Sequence, residues 1–129
     1  MQYLLDTVTL VRHFTGKGKL GRQAARILNG IEQSYDSLVI SVISLMEIMY
    51  LSEKQRIELD LTETLELLRS STKYIIVDLN PDILKVAEKI VFDELHDRLI
   101  LATAAWLGIK IISSDSKFST VTGIEVVWN

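Results

Sequence analysis

Five short runs rich in apolar residues, at positions 3–5, 38–41, 74–77, 109–112 and 125–128, recur along the chain, and the stretches between them mostly carry helical patterns. Each run is too short for a helix, and its lack of polar alternation suits a strand covered on both faces. Strands alternating with helices read as α/β, with a mainly parallel central sheet of four to five strands. In a doubly wound sheet the carboxyl ends of the strands open on a common crevice, so the residues that follow each run carry the most functional information.

Acids occupy those positions. Asp6, Glu47, Asp97 and Asp115 each stand where an apolar run gives way to a helix-like segment. Carboxylates gathered at one edge repel each other by several kcal/mol at intermediate dielectric, roughly, unless a cation sits among them. An all-oxygen donor set suits a hard divalent ion, Mg²⁺ or Mn²⁺. Each acid also has a structural reading. Asp6, Asp97 and Asp115 can cap helices, and Glu47 follows Ser44 at the spacing of a capping box. Any one alone is more simply a cap; the joint placement favours a metal site. Glu47 is the strongest case, because Ile43, Leu45, Met46, Ile48, Met49 and Leu51 surround it in a helix expected to be mostly buried. Asp97 follows a stretch with further acids, and Arg98 is a salt-bridge candidate for one of them.

Helical spacing is expected over residues 20–33, 45–54, 61–69 and 98–107, with Gly108 ending the last and Asn80-Pro81 starting another. At 129 residues, 48% apolar and 24% charged, the chain reads as one globular domain. The absence of cysteine excludes disulfides, zinc-thiolate sites and a thiol nucleophile. A net charge of −3 argues against coating nucleic acid by bulk electrostatics but not against a nuclease, whose bound cations restore positive potential. The start has no basic leader, its apolar run is broken by Asp6, and no stretch approaches the roughly 18 apolar residues of a membrane span, so a cytoplasmic protein is expected. His13 and His96 lack metal-binding spacing and read as packing or solvent-facing residues. The Gly16-Lys17-Gly18-Lys19 stretch reads as a basic loop, because the P-loop pattern is absent.

Taken together, these residues resemble the PIN-domain ribonucleases, most closely the VapC-type toxins of toxin-antitoxin pairs. The resemblance spans essentially the whole chain. Residues 96–104, HDRLILATA, are similar to the family's FDRLLIAQA stretch, and residues 111–118, IISSDSKF, to its LVTADRAF stretch. The closing Val126-Val127-Trp128 is similar to VLW, and Leu4-Leu5-Asp6-Thr7 to LLDT. The departures are Val8-Thr9 in place of an early histidine, a missing tryptophan in the same segment, and Leu95-His96 in place of proline and phenylalanine. They leave every acid of the quartet in place.

The resemblance implies a three-layer α/β/α PIN-like fold in a single domain over residues 1–129. It implies a metal-dependent endoribonuclease in which Asp6, Glu47, Asp97 and Asp115 hold Mg²⁺ or Mn²⁺, with Glu94 as an outer ligand and Thr7 and Ser113 orienting ligands or water. It also implies a homodimer and a small antitoxin partner; an apolar face on the helices between Leu45 and Leu68 would serve either contact. For the RNA backbone the candidates are Lys17, Lys19, Arg22, Arg26 and Lys117, whose plainer role is a solvated helix face or loop. Two other readings compete: a receiver-type signalling domain with Asp78 as phosphoacceptor, and a PIN-like module that binds protein or RNA without cutting. The first leaves Glu47 and Asp97 unused; metal binding would separate the second from the nuclease.

Overall fold

In the computed structural model, which describes residues 1–129, the apolar runs form β1 (Gln2–Leu5), β2 (Ser37–Ser41), β3 (Tyr74–Val77), β4 (Lys110–Ile112) and β5 (Val126–Val127). All pair in parallel, in the order β3-β2-β1-β4-β5. The register sets Leu4 between Val39 and Ile111, and Leu5 between Ile40 and Ile112. Alternate residues therefore serve opposite faces. Tyr3, Leu5, Leu38, Ile40 and Ile112 join one core with residues of α1 (Thr7–Thr15), α2 (Arg22–Asn29), α3 (Val42–Glu53) and α4 (Leu61–Arg69). Leu4, Val39 and Ile111 join the other with α5 (Pro81–Glu88) and α6 (Leu95–Leu107). The result is the expected three-layer α/β/α architecture, with all five strands parallel. No helix is long and apolar enough to cross a membrane.

The elements follow the expected periodicities, with informative shifts. The expected helix over 20–33 is α2 followed by a separate 3-10 turn, Ile31–Gln33, because Gly30 breaks the run. The expected helix from 45 begins at Val42, capped by Ser41, whose hydroxyl accepts from Ile43 N at 3.0 Å. Ser44 and Glu47 therefore form no capping box. Helix α6 starts at Leu95 rather than 98; Glu94 caps it and Asp97 lies inside its first turn, so Asp97 neither caps a helix nor follows a strand. Asn80 and Pro81 start α5 as expected. At the far end of α6, Gly108 adopts φ 68°, and its N–H reaches the Ala104 and Ala105 carbonyls. Strand β3 forms one sheet edge, which leaves Ile75 and Ile76 part exposed rather than buried.

The carboxyl-terminal segment is clamped by a close backbone approach at the start of α2. Ala24 N donates to the Trp128 carbonyl at 3.0 Å, and a Cβ at Gly21 would lie 2.2 Å from that same oxygen. Both partners are backbone and cannot swing aside. Gly21→Ala is accordingly expected to lower the unfolding free energy by about 1–3 kcal/mol, in the range of core overpacking, read as a lower urea midpoint at unchanged slope.

Candidate metal centre

The sheet order reverses between β1 and β4: β2 and β3 extend to one side of β1, while β4 and β5 lie on the other. Such a switch point leaves a crevice at the carboxyl ends of the two central strands. Asp6 follows β1 there, and Ser113 to Asp115 follow β4. The Asp6 carboxylate is buried and held from two sides, Oδ1 accepting from Thr9 N at 2.9 Å and Oδ2 from the Ser113 hydroxyl at 2.5 Å. Ser113 Oγ in turn accepts from Asp115 N at 3.0 Å. Asp6 is thus both a helix cap and a fixed acid in the crevice. Asp115 caps a 3-10 turn, Ser116–Thr120, through Oδ1 and Lys117 N.

Glu47 enters from the middle of α3. Its Oε1 accepts a 2.5 Å hydrogen bond from Thr7 Oγ1. Because a carboxylate only accepts, the Thr7 proton is committed to Glu47, and the fully buried Ser44 hydroxyl, 2.9 Å away, donates to Thr7. This chain fixes one oxygen. The other, Oε2, faces His96, whose Nδ1 lies 3.5 Å from it and 3.5 Å from Glu94 Oε1. The α3 helix is less buried than its composition suggests: Met46, Met49 and Tyr50 are exposed beside Glu47.

The first turn of α6 brings the remaining acids. Asp97 and Asp115 line one open cleft of about 480 Å³ with Asp93, Glu94, Phe92 and Lys117. Glu94 Oε2 accepts from Asp97 N at 2.6 Å. Burial raises the Asp97 carboxyl to about 6, helped by the charges of Glu94, Glu47, Asp6 and Asp115 in that order. All four predicted acids, with Glu94, therefore share one electrostatic neighbourhood, although they arrive from β1, α3, α6 and the end of β4. Arg98 does not neutralise it: its Nε donates to the Ala87 carbonyl at 2.8 Å. No Lys or Arg forms an ion pair with any acid of the group.

An excess of mutually repelling, hydrogen-bond-positioned carboxylates, offering oxygen alone, fits a hard divalent cation. No three His, Asp or Glu side chains stand at ligating distance from a common point in this arrangement. The predicted basic residues mostly lie elsewhere. Lys17 pairs with Glu58 at 2.6 Å beside a separate cleft, Lys19, Arg22 and Arg26 are exposed and line no part of the acidic cleft, and Lys117 alone lines it. His13 packs far from the acids, 2.9 Å from the Tyr74 hydroxyl, and burial lowers its pKa. The sequence reading missed two members of the site. His96 reads from sequence as a packing or solvent-facing residue although it adjoins Asp97, and Ser44 reads as half of a capping box although its spacing from Glu47 also lets both reach Thr7.

Comparison with known proteins gives a consistent assignment. The PIN domain family model matches residues 3–124. No curated protein sequence matches the chain. Among solved structures, the chain is similar to Rickettsia felis VapBC2 bound to promoter DNA, at 17% identity and TM-score 0.75, covering 100% of both chains. It is similar to a Klebsiella pneumoniae toxin-antitoxin complex at 25% identity and TM-score 0.65, covering 97% of this chain and 95% of the other. It is also similar to Mycobacterium tuberculosis VapC20, described as a toxin that cleaves the sarcin-ricin loop, at 17% identity and TM-score 0.64, covering 95% and 98%.

Proposed function

The chain belongs to the PIN-domain family, and from that premise we propose that it is a divalent-metal-dependent endoribonuclease, the toxin of a toxin-antitoxin pair. The observation that carries this reading is the convergence of Asp6, Glu47 and Asp115 on Asp97, whose carboxyl is raised to about 6 by burial and, further, by the charges of Glu94 and those three acids. Those four residues would hold Mg²⁺ or Mn²⁺, with Glu94 as an outer ligand. When bound, the ion supplies charge neutralisation at the scissile phosphate and a water made nucleophilic at neutral pH. The chain's own residues supply positioning. Thr7, backed by Ser44, holds one Glu47 oxygen, and Ser113 ties Asp6 to the backbone of Asp115, so two acids are pre-set from opposite sides of the crevice. Lys117 is the one cation on the cleft wall, which supports it as the contact for a backbone phosphate. The products would carry a 5′-phosphate and a 3′-hydroxyl.

The similarity to a toxin-antitoxin complex supports an antitoxin partner for this chain, and we propose that it also forms a homodimer. The test of function is incubation of end-labelled mixed RNA with the purified chain in Mg²⁺, Mn²⁺ or excess EDTA. Metal-dependent fragments that accept ligation through a 5′-phosphate support the reading; metal binding without any cutting would replace it with a non-catalytic module. Thr7→Val preserves shape but releases Glu47. It is expected to weaken Mn²⁺ affinity by about 10–100-fold, the usual effect of removing a group that orients a ligand, with far-UV circular dichroism unchanged.

A further inference from the structure

Glu47 separates two surfaces. On one side lie the other acids; on the other, Met46, Met49, Tyr50 and Leu51 of α3 and His96 of α6 line a cleft of about 370 Å³. That volume suits a small planar group. Its walls are two rings and two thioethers, all accessible: Tyr50 is 52% exposed and the His96 side chain 41%. One turn along α3, the Lys54 ammonium sits 5.6 Å from the Tyr50 ring centroid. Moving outward from the carboxylates, the surface therefore presents a phosphate-handling site, a slot walled by rings, and then a cation.

That order suits one nucleotide unit of a strand, in which a ribose joins one phosphate to the next and carries a pendant base between them. We propose that this cleft is a nucleobase subsite, receiving an unpaired base of the RNA next to the scissile phosphate. The inference rests on the endoribonuclease reading and deepens it. Tyr50 and His96 offer stacking surfaces, Met46 and Met49 the deformable apolar floor, and Lys54 meets the following phosphate. Bases in single strands stack on such rings with little regard to sequence. Continuity with the acids selects this occupant, because a base here is joined through a single ribose to a phosphate standing at Asp97 and Glu47. His96 and Tyr50 are positioning residues in this account.

The test is a magnetic-resonance titration of the whole chain in Mg²⁺ with adenosine 5′-monophosphate or ribose 5-phosphate, following the ring protons of Tyr50 and His96, alongside RNA cleavage kinetics. The base-bearing probe is expected to shift both rings upfield and the base-free probe to shift neither. Tyr50→Ala should abolish the shift at His96 and raise KM about tenfold at unchanged kcat, while Tyr50→Phe, which keeps the ring, restores both. Equal shifts from ribose 5-phosphate would overturn the subsite. So would a Tyr50→Ala variant that cuts RNA as wild type does, which would leave the cleft as a protein-docking groove or bare surface. If the nucleotide stacks through Tyr50 but wild type cuts no RNA, the subsite stands and the nuclease reading falls.

Discussion

Asp97→Asn is expected to remove RNA cleavage and to raise the melting temperature of the metal-free protein, two effects that point in opposite directions and share one cause. Loss of Asp97, proposed above as a direct ligand, is expected to cost more than about a hundredfold in rate, since groups that merely orient ligands are worth about 10–100-fold. The stability gain follows from the burial of the carboxyl and from the charges around it. Asp97 is raised from 3.8 to about 6 by burial and by Glu94, Glu47, Asp6 and Asp115, so the folded metal-free chain holds this proton more tightly than the unfolded chain does. Stability is then undiminished below about pH 4, falls as pH rises toward 6, and stays lowered above it. Asparagine removes the charge and the penalty together. Thermal melts in EDTA should place the variant a few degrees above wild type at pH 7.5 and close to it at pH 4. Because Asp97 is only half-buried, solvent screening limits the gain.

Divalent cations should stabilise the wild-type chain strongly and in a pH-dependent way. A ligand that binds only the folded state contributes about 2.7 kcal/mol at a hundred times its Kd, on the order of 10 °C for a chain of this size. At pH 5 a proton competes for Asp97, so the same Mn²⁺ concentration should raise the melting temperature much less than at pH 7.5. Mn²⁺ should shift Asp97→Asn little at either pH. A shift of equal size at both pH values would place the ion away from Asp97.

The strands were the most legible part of the fold, because each is a short, largely apolar run and no competing pattern has that length. Helix ends were harder. Gly30 and the Ser41 cap override the apolar spacing that sets the middle of each helix, and Glu94, rather than Asp97, starts α6. The four acids could be picked out by their position after apolar runs and by the resemblance, yet Glu47 and Asp97 reach the crevice by a different route, from inside helices. What a linear reading lacks is the cross-chain wiring. Ser44 and Thr7 meet through Glu47, and His96 stands between Glu47 and Glu94, across contacts that bring together α1, α3 and the start of α6. The basic loop was legible as a charge cluster, but its Lys17 is committed to Glu58, and only Lys117 stands at the acids.

The most direct test of a single carboxylate site that cuts RNA is Mn²⁺ binding, followed by electron paramagnetic resonance, and RNA cleavage in the same preparations of wild type, Asp6→Asn, Glu47→Gln, Asp97→Asn and Asp115→Asn. The predicted result is loss of Mn²⁺ affinity and of cleavage together in each variant, with the fold retained. Tight Mn²⁺ binding in Asp97→Asn, or cleavage that survives in that variant or in excess EDTA, would contradict it.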